Sequence, residues 1–284
     1  MKHLYIKISV ILSAIVLLAF APDTFLLPES FYLHKGDQLN LHVLTGTNFV
    51  KEGESRYSTA KTVTFNLYEG SKKTDLTKIA KDSAAPVISY PLNNNGLGMV
   101  EMHNKAEITD IPRDQFVTYL SEQGYDNLAE KLKNSNSLYF TEKSTRYLKT
   151  LFTVDNPSGN IYEKVLNNDF EITLKQNPYK KNYGEDITAL INYKGKPLKN
   201  SPAYLYIKTA SGNVYPQKFD TDAQGLIYIT LSRDGIYMIR CVHIEESTGK
   251  DADYETNSTS FTFAFSNQNE MPNTYKEFGF GNKH

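Results

Sequence analysis

From residue 31 the chain alternates apolar and polar side chains with a period of two, the mark of strands that bury one face. In FYLHKGDQLNLHVLTG (31–46) a Lys35-Gly36-Asp37 turn separates two such runs. Leu39, Leu41 and Val43 share one face there, opposite Asn40 and His42. The pattern continues through TVTFNLY (62–68), PVISY (86–90), LGMVEMH (97–103) and RYLKTLFTVD (146–155), with a turn signal at Asn93-Asn94-Asn95-Gly96. After a polar stretch the strand rhythm resumes at 170–176, 186–193, 202–209, 225–231, 235–245 and 260–265. The turns between these runs carry Gly184, Lys194-Gly195-Lys196-Pro197, Ser211-Gly212-Asn213, Gly225 and Asp234-Gly235. Short, evenly spaced strands of this kind predict an immunoglobulin-like sandwich, here without the Cys…Trp…Cys signature of antibody domains.

One segment has a different period. In residues 110–133 Phe116, Val117 and Leu120, then Leu128 and Leu132, recur at helical spacing. Asp110 is placed to cap the segment and Pro112 lies near its first turn. Gly124 should divide it into two short helices. The expected fold is therefore mainly β, with two β-sandwich domains of immunoglobulin-like or prealbumin-like type. The first spans 22–160 and carries the helical insertion; the second spans 168–266. Residues 267–284 are polar and contain glycine, and are expected to form a flexible tail.

Composition and charge narrow the function classes. Twenty tyrosines and fifteen phenylalanines without tryptophan suit a β-rich core. A net charge of −1, with both signs scattered, lacks the basic stripe that nucleic-acid binding requires. Residues 1–21 read as a secretory signal: Lys2 and Lys7 precede an apolar run at 8–20, and Ala19-Phe20-Ala21 supplies small residues for cleavage. That run is shorter than the roughly 20 residues needed to cross a bilayer as a helix. The expectation is an exported chain, periplasmic or secreted, with no membrane span after cleavage. Cys241 is the only cysteine and has no intramolecular disulfide partner. No phosphate-binding glycine loop, CxxC pair, HExxH or GxSxG is present, which lowers the expectation of an enzyme.

Candidate chemistry gathers in YMIRCVHIEESTGKDADYE (237–255). Strand parity puts Tyr237, Ile239, Cys241, His243 and Glu245 on one face. Cys241 then reads as a small core residue, and a Cys241/His243 catalytic pair has no activating signature. His243 precedes an acidic loop, which leaves two readings open. In one, the imidazole is structural and pins the loop. In the other, His243, Glu245, Asp251 and Asp253 ligate a divalent transition metal: nickel, cobalt, zinc or copper. A metal would want a second histidine, for which His34, His42 and His103 are available. Calcium on the acidic oxygens is a third option, without EF-hand spacing.

The same residues carry a family resemblance. Thr221-Asp222 with Gly225, Gly235 with Tyr237, Val242-His243, Asp251-Ala252-Asp253-Tyr254 and Ser260 to Phe263 are similar to the C-terminal half of a bacterial exported family of largely unknown function. Its members are often labelled periplasmic components of nickel or cobalt uptake. Further likenesses lie at 24–46, 114–128, 146–154 and 184–207. The family's early "H-x-F-W" is replaced here by Pro22-Asp23-Thr24-Phe25. The resemblance implies a β fold, an envelope location and a non-enzymatic binding protein that handles or senses a divalent metal, with an envelope protein or transporter as partner. The alternative is a metal-independent envelope interaction or adhesion module.

Overall fold

A computed structural model of the protein describes residues 22–281; the expected signal segment, 1–21, lies outside them. The chain divides into two compact units. One contains residues 110–140; the other contains 23–109 together with the chain from Thr141 onward. The fold is mainly β, as the period-two pattern predicts. Among the described residues no helix is long and apolar enough to cross a membrane.

The strands form three sheets. The first joins β1 (Asp23–Pro28), β3 (Gln38–Thr47), β4 (Val50–Glu54) and β7 (Ile88–Pro91). The second runs in the order β15 (Val214–Asp220), β14 (Pro202–Lys208), β17 (Gly235–Glu246), β18 (Tyr254–Phe265), β10 (Tyr139–Val154), β8 (Gly96–Asn104), β5 (Thr62–Glu69) and β6 (Lys72–Asp75). Along β10 it also pairs β2 (Tyr32–Leu33) and β9 (Glu107–Pro112). The third contains β11 (Phe170–Leu174), β12 (Asp186–Tyr193), β13 (Lys196–Pro197) and β16 (Leu226–Thr230).

The large sheet does not stop at the expected domain boundary of 160–168. β10, from the first half, lies parallel to β18, the last strand, in a register from Glu142↔Tyr254 to Thr150↔Thr262. The two halves therefore share one sheet, a pairing of distant segments that periodicity cannot reveal. The sequence of β18 shows why it sits at the centre. From residue 256 on its even positions are small: Ser260 donates to the Thr24 carbonyl at 3.0 Å and Thr262 to the Leu26 carbonyl at 2.7 Å, so β1 packs close. Its odd positions Phe261, Phe263 and Phe265 are fully buried, on the face shared by the Lys149 that reaches β11 and the Asn257 that reaches β12. Each such ring contributes roughly 1.5–3 kcal/mol by burial. Covered on both faces, β18 reads as a nearly continuous buried run.

Lys149 of β10 is buried with Glu171 of β11 as an ion pair, and it also donates to the Ile172 carbonyl at 3.1 Å. Burial pushes the Lys149 amine below its usual value, and Glu171 opposes that shift. Backbone amides of Leu166 and Asn167 complete the Glu171 carboxylate at 2.8 and 3.2 Å. Nearby, Phe152 lies over Gly98, where an added Cβ would come within 2.3 Å of the ring.

The smaller unit holds two helices, α1 (Arg113–Glu122) and α2 (Asp126–Lys133), parted at Gly124 with φ +84° as expected. Asp110 lies within β9 and does not cap α1; Pro112 occupies that place. Phe116 meets Phe140 at 5.6 Å between ring centres, and Arg113 donates to the Ser135 carbonyl at 2.9 Å.

The C-terminal segment differs from the flexible tail expected. A short helix, α3 (Thr274–Glu277), is tied down where the Thr274 hydroxyl donates to the Pro28 and Glu29 carbonyls, each at 3.0 Å. Phe278 and Phe280 are buried, and Phe280 packs on Phe25 and Phe49 at 6.1 and 5.4 Å. Two apolar rings spaced by one residue outweigh the polar average of the segment.

Candidate functional site

His243 lies near the end of β17, opposite Asn257 of β18, on the face turned toward the third sheet. That sheet brings Tyr193, the last residue of β12, and Lys194, the first residue of a tight turn. Lys194 and Gly195 both have positive φ, +49° and +74°, the geometry of a two-residue hairpin turn. The Tyr193 and His243 rings lie 4.2 Å apart. Glu245 Oε1 accepts from the Tyr193 hydroxyl and from Lys194 Nζ, both at 2.7 Å, while Asn257 donates to the Tyr193 oxygen at 3.1 Å. His243 Nε2 is 3.7 Å from Glu245 Oε2, within ion-pair range but longer than a hydrogen bond.

The electrostatics follow from this geometry. Burial lowers the His243 pKa from its usual 6.5; Glu245 opposes the shift and the Lys194 ammonium adds to it. Burial alone would raise Glu245, but the hydrogen bonds from Lys194 and Tyr193 outweigh it and hold the carboxyl below its ordinary value. At neutral pH the site is thus a neutral imidazole beside a compensated carboxylate. His243 Nδ1 is buried without a hydrogen-bond partner among the described residues.

The four residues expected around a metal do not converge. His243 and Glu245 are together; Asp251 and Asp253 are not with them. Asp251 pairs with Lys143 of β10 at 3.0 Å, and Asp253 Oδ2 accepts from the Thr141 amide at 2.8 Å. The cause is the parallel neighbour: the loop between β17 and β18 closes through Ser247 and Asp253, and its acidic side chains anchor the start of β10. Among the described residues no group of three or more His, Cys, Asp or Glu side chains is arranged to hold a metal ion. Cys241 is fully buried, its thiol donating to the Pro202 carbonyl at 3.2 Å, and burial pushes its pKa up to about 12.

The three other histidines among the described residues go elsewhere. His34 meets Asp155 at 3.1 Å. His103 stacks on Tyr147 at 4.4 Å, and burial lowers its pKa. Asp169 acts electrostatically on both, and its carbonyl accepts the Lys194 amide at 2.6 Å, so His103, Tyr147, Lys194, Tyr193 and His243 form a chain of neighbours. His42 has the densest surroundings. Its Nδ1 is 2.7 Å from Glu54 and its Nε2 3.3 Å from Glu29, and its ring stacks on Tyr275 at 3.8 Å. Tyr275 in turn donates to Glu54 and accepts from Lys51 at 3.0 Å. Alternation places His42 and Asn40 together, but no local signal in the sequence brings Glu29, Glu54 and Tyr275 to them.

These features define a mainly β protein with a ring-and-charge surface where its third sheet meets the large one. The family model for a domain of unknown function, DUF4198, matches residues 19–245, and the chain belongs to that family. The match ends at Glu245, so His243 lies inside it and Asp251 and Asp253 lie beyond. No curated protein matches. Among solved structures, the crystal structure of a tetra-tandem repeat in the extending region of a large adhesion protein aligns at 12% identity and a TM-score of 0.22. The alignment covers 87% of this chain and 50% of that one, so this chain spans about half of its length.

Proposed function

We propose that the protein is an exported, non-enzymatic binding module of the cell envelope. It engages an envelope partner through the Tyr193–Lys194–His243 surface, independently of metal. The observation that carries this reading is the engagement of Glu245. Its Oε1 already holds Lys194 and Tyr193 at 2.7 Å, so the carboxylate charge that would draw a cation to His243 is already compensated by an ammonium group. Lys194, with its side chain 55% exposed, and the partly exposed His243 and Tyr193 rings leave a polar, aromatic surface of the kind that binding faces use.

One observation favours a second reading, a divalent metal on His243. Its Nδ1 has no protein partner and burial keeps the imidazole neutral, the form that coordinates.

Calorimetric titration with nickel, cobalt, zinc and copper, on the protein and on His243→Ala, separates the two. The first reading expects no metal to bind tighter than about millimolar. It also expects capture of an envelope component that ignores chelator and weakens in Lys194→Asn, a change that keeps the left-handed turn. Tighter metal binding that disappears in His243→Ala overturns it in favour of the second.

A further inference from the structure

A concave site lies far from His243. Thr145 of β10 is in register with Asn257, the neighbour of His243. Thr153, eight residues further along the strand and so roughly 26 Å away, lines a cavity of about 360 Å³. That volume falls at the lower end of small-ligand pockets.

The walls are held rigidly. Tyr179 is buried, its hydroxyl donating to the Leu151 carbonyl at 2.7 Å and accepting the Ala264 amide at 3.3 Å. Tyr32 stands edge-on to it at 5.3 Å. Asp155 has φ +57°, a left-handed conformation that a non-glycine residue holds at some cost, and such strain concentrates at binding sites. Its Oδ1 accepts from His34 Nδ1 at 3.1 Å and from the Lys35 amide at 3.4 Å. Its Oδ2 takes no protein hydrogen bond among the described residues. The Thr153 hydroxyl, in a residue 5% exposed, likewise has no partner among them.

We propose that this cavity binds a neutral hydroxylated sugar ring. Gln268 and Asn269 supply both donors and acceptors, and a sugar hydroxyl needs both at once. Asp155 and Glu270 line the cavity while no lysine or arginine does, so an anionic ligand would meet uncompensated carboxylates. The Tyr32 ring, Leu33 and Met271 offer an apolar wall for the C–H face of a pyranose. His34, held at Nδ1 by Asp155, leaves Nε2 for one further hydroxyl. The site is independent of the surface around His243 and stands whether or not that surface binds a partner.

The test is a titration of the protein with glucose, galactose, mannose and N-acetylglucosamine, with glucuronic acid as the anionic control, followed by saturation-transfer NMR and calorimetry. At least one neutral sugar is expected to bind with a dissociation constant below about 10 mM. Asp155→Asn, which tolerates the left-handed backbone, and His34→Ala, at an exposed position, should each weaken it by about tenfold. Unchanged denaturant midpoints would show both variants folded. The proposal is overturned if no neutral sugar saturates, if glucuronic acid binds equally well, or if both folded variants bind as the parent does.

Discussion

His42 and His243 occupy opposite ends of a scale of engagement. His42 is clamped between two carboxylates, stacked on a tyrosine and almost sealed from water, with a side chain 4% exposed. His243 is 21% exposed, touches one carboxylate already bound to a lysine, and keeps Nδ1 unpaired. The sequence draws the eye to His243, because acidic residues follow it in the chain. The structure gives the carboxylates to His42, because strands far apart in sequence deliver them. Nearness along the chain is a poor guide to which imidazole is structural and which is free to act.

The contrast can be broken at its strongest point first. Phe280 anchors the segment that lays Tyr275 over His42, so Phe280→Ala should cost about 3–5 kcal/mol by loss of a buried ring. Chemical denaturation measures this, and protease should then cut the C-terminal segment faster. His42→Ala removes the partner of Glu29 and Glu54 and the stack beneath Tyr275. It should cost about 2–4 kcal/mol, against about 1 kcal/mol for His243→Ala. Equal losses in the two variants would erase the distinction between the two imidazoles.

The smallest effect is a pH dependence. His243 and His103 both have folded pKa values below the usual 6.5, chiefly through burial. Above that pH both states hold neutral imidazoles and stability is full. As pH falls through it, the unfolded chain takes up protons first and stability declines. Each histidine should therefore lower stability as the pH falls from 7 to 5. In His243→Ala the stability–pH curve should flatten over that range, and a curve superimposable on the parent's would refute the assignment.

Much of the β framework was readable. Residues 186–193 form β12 as the alternation predicts, and 113–133 form two helices broken at Gly124. β15 carries no strand signal because Pro216 and the exposed Lys218 interrupt its pattern, as suits a strand at a sheet edge. Strand parity placed Cys241 in the core correctly. The same parity put His243 and Glu245 on one face but could not show that Lys143 and Thr141 claim Asp251 and Asp253. Period-two patterns report which face a residue occupies and are silent on which strand lies beside it. In the C-terminal segment, averaged polarity hides two phenylalanines, Phe278 and Phe280, with a buried place to go.

The parallel alliance of β10 with β18 has a consequence for how the chain assembles. Residues 142–150 wait for residues 254–262, so more than a hundred residues must be available before the centre of the large sheet can close. Until then β10 presents one open edge, and an unpaired strand edge invites the wrong partner. Pairing across so long a loop also slows folding. A chain built this way gains from being kept extended until its last strand arrives, and conditions that release it early should favour aggregation over folding.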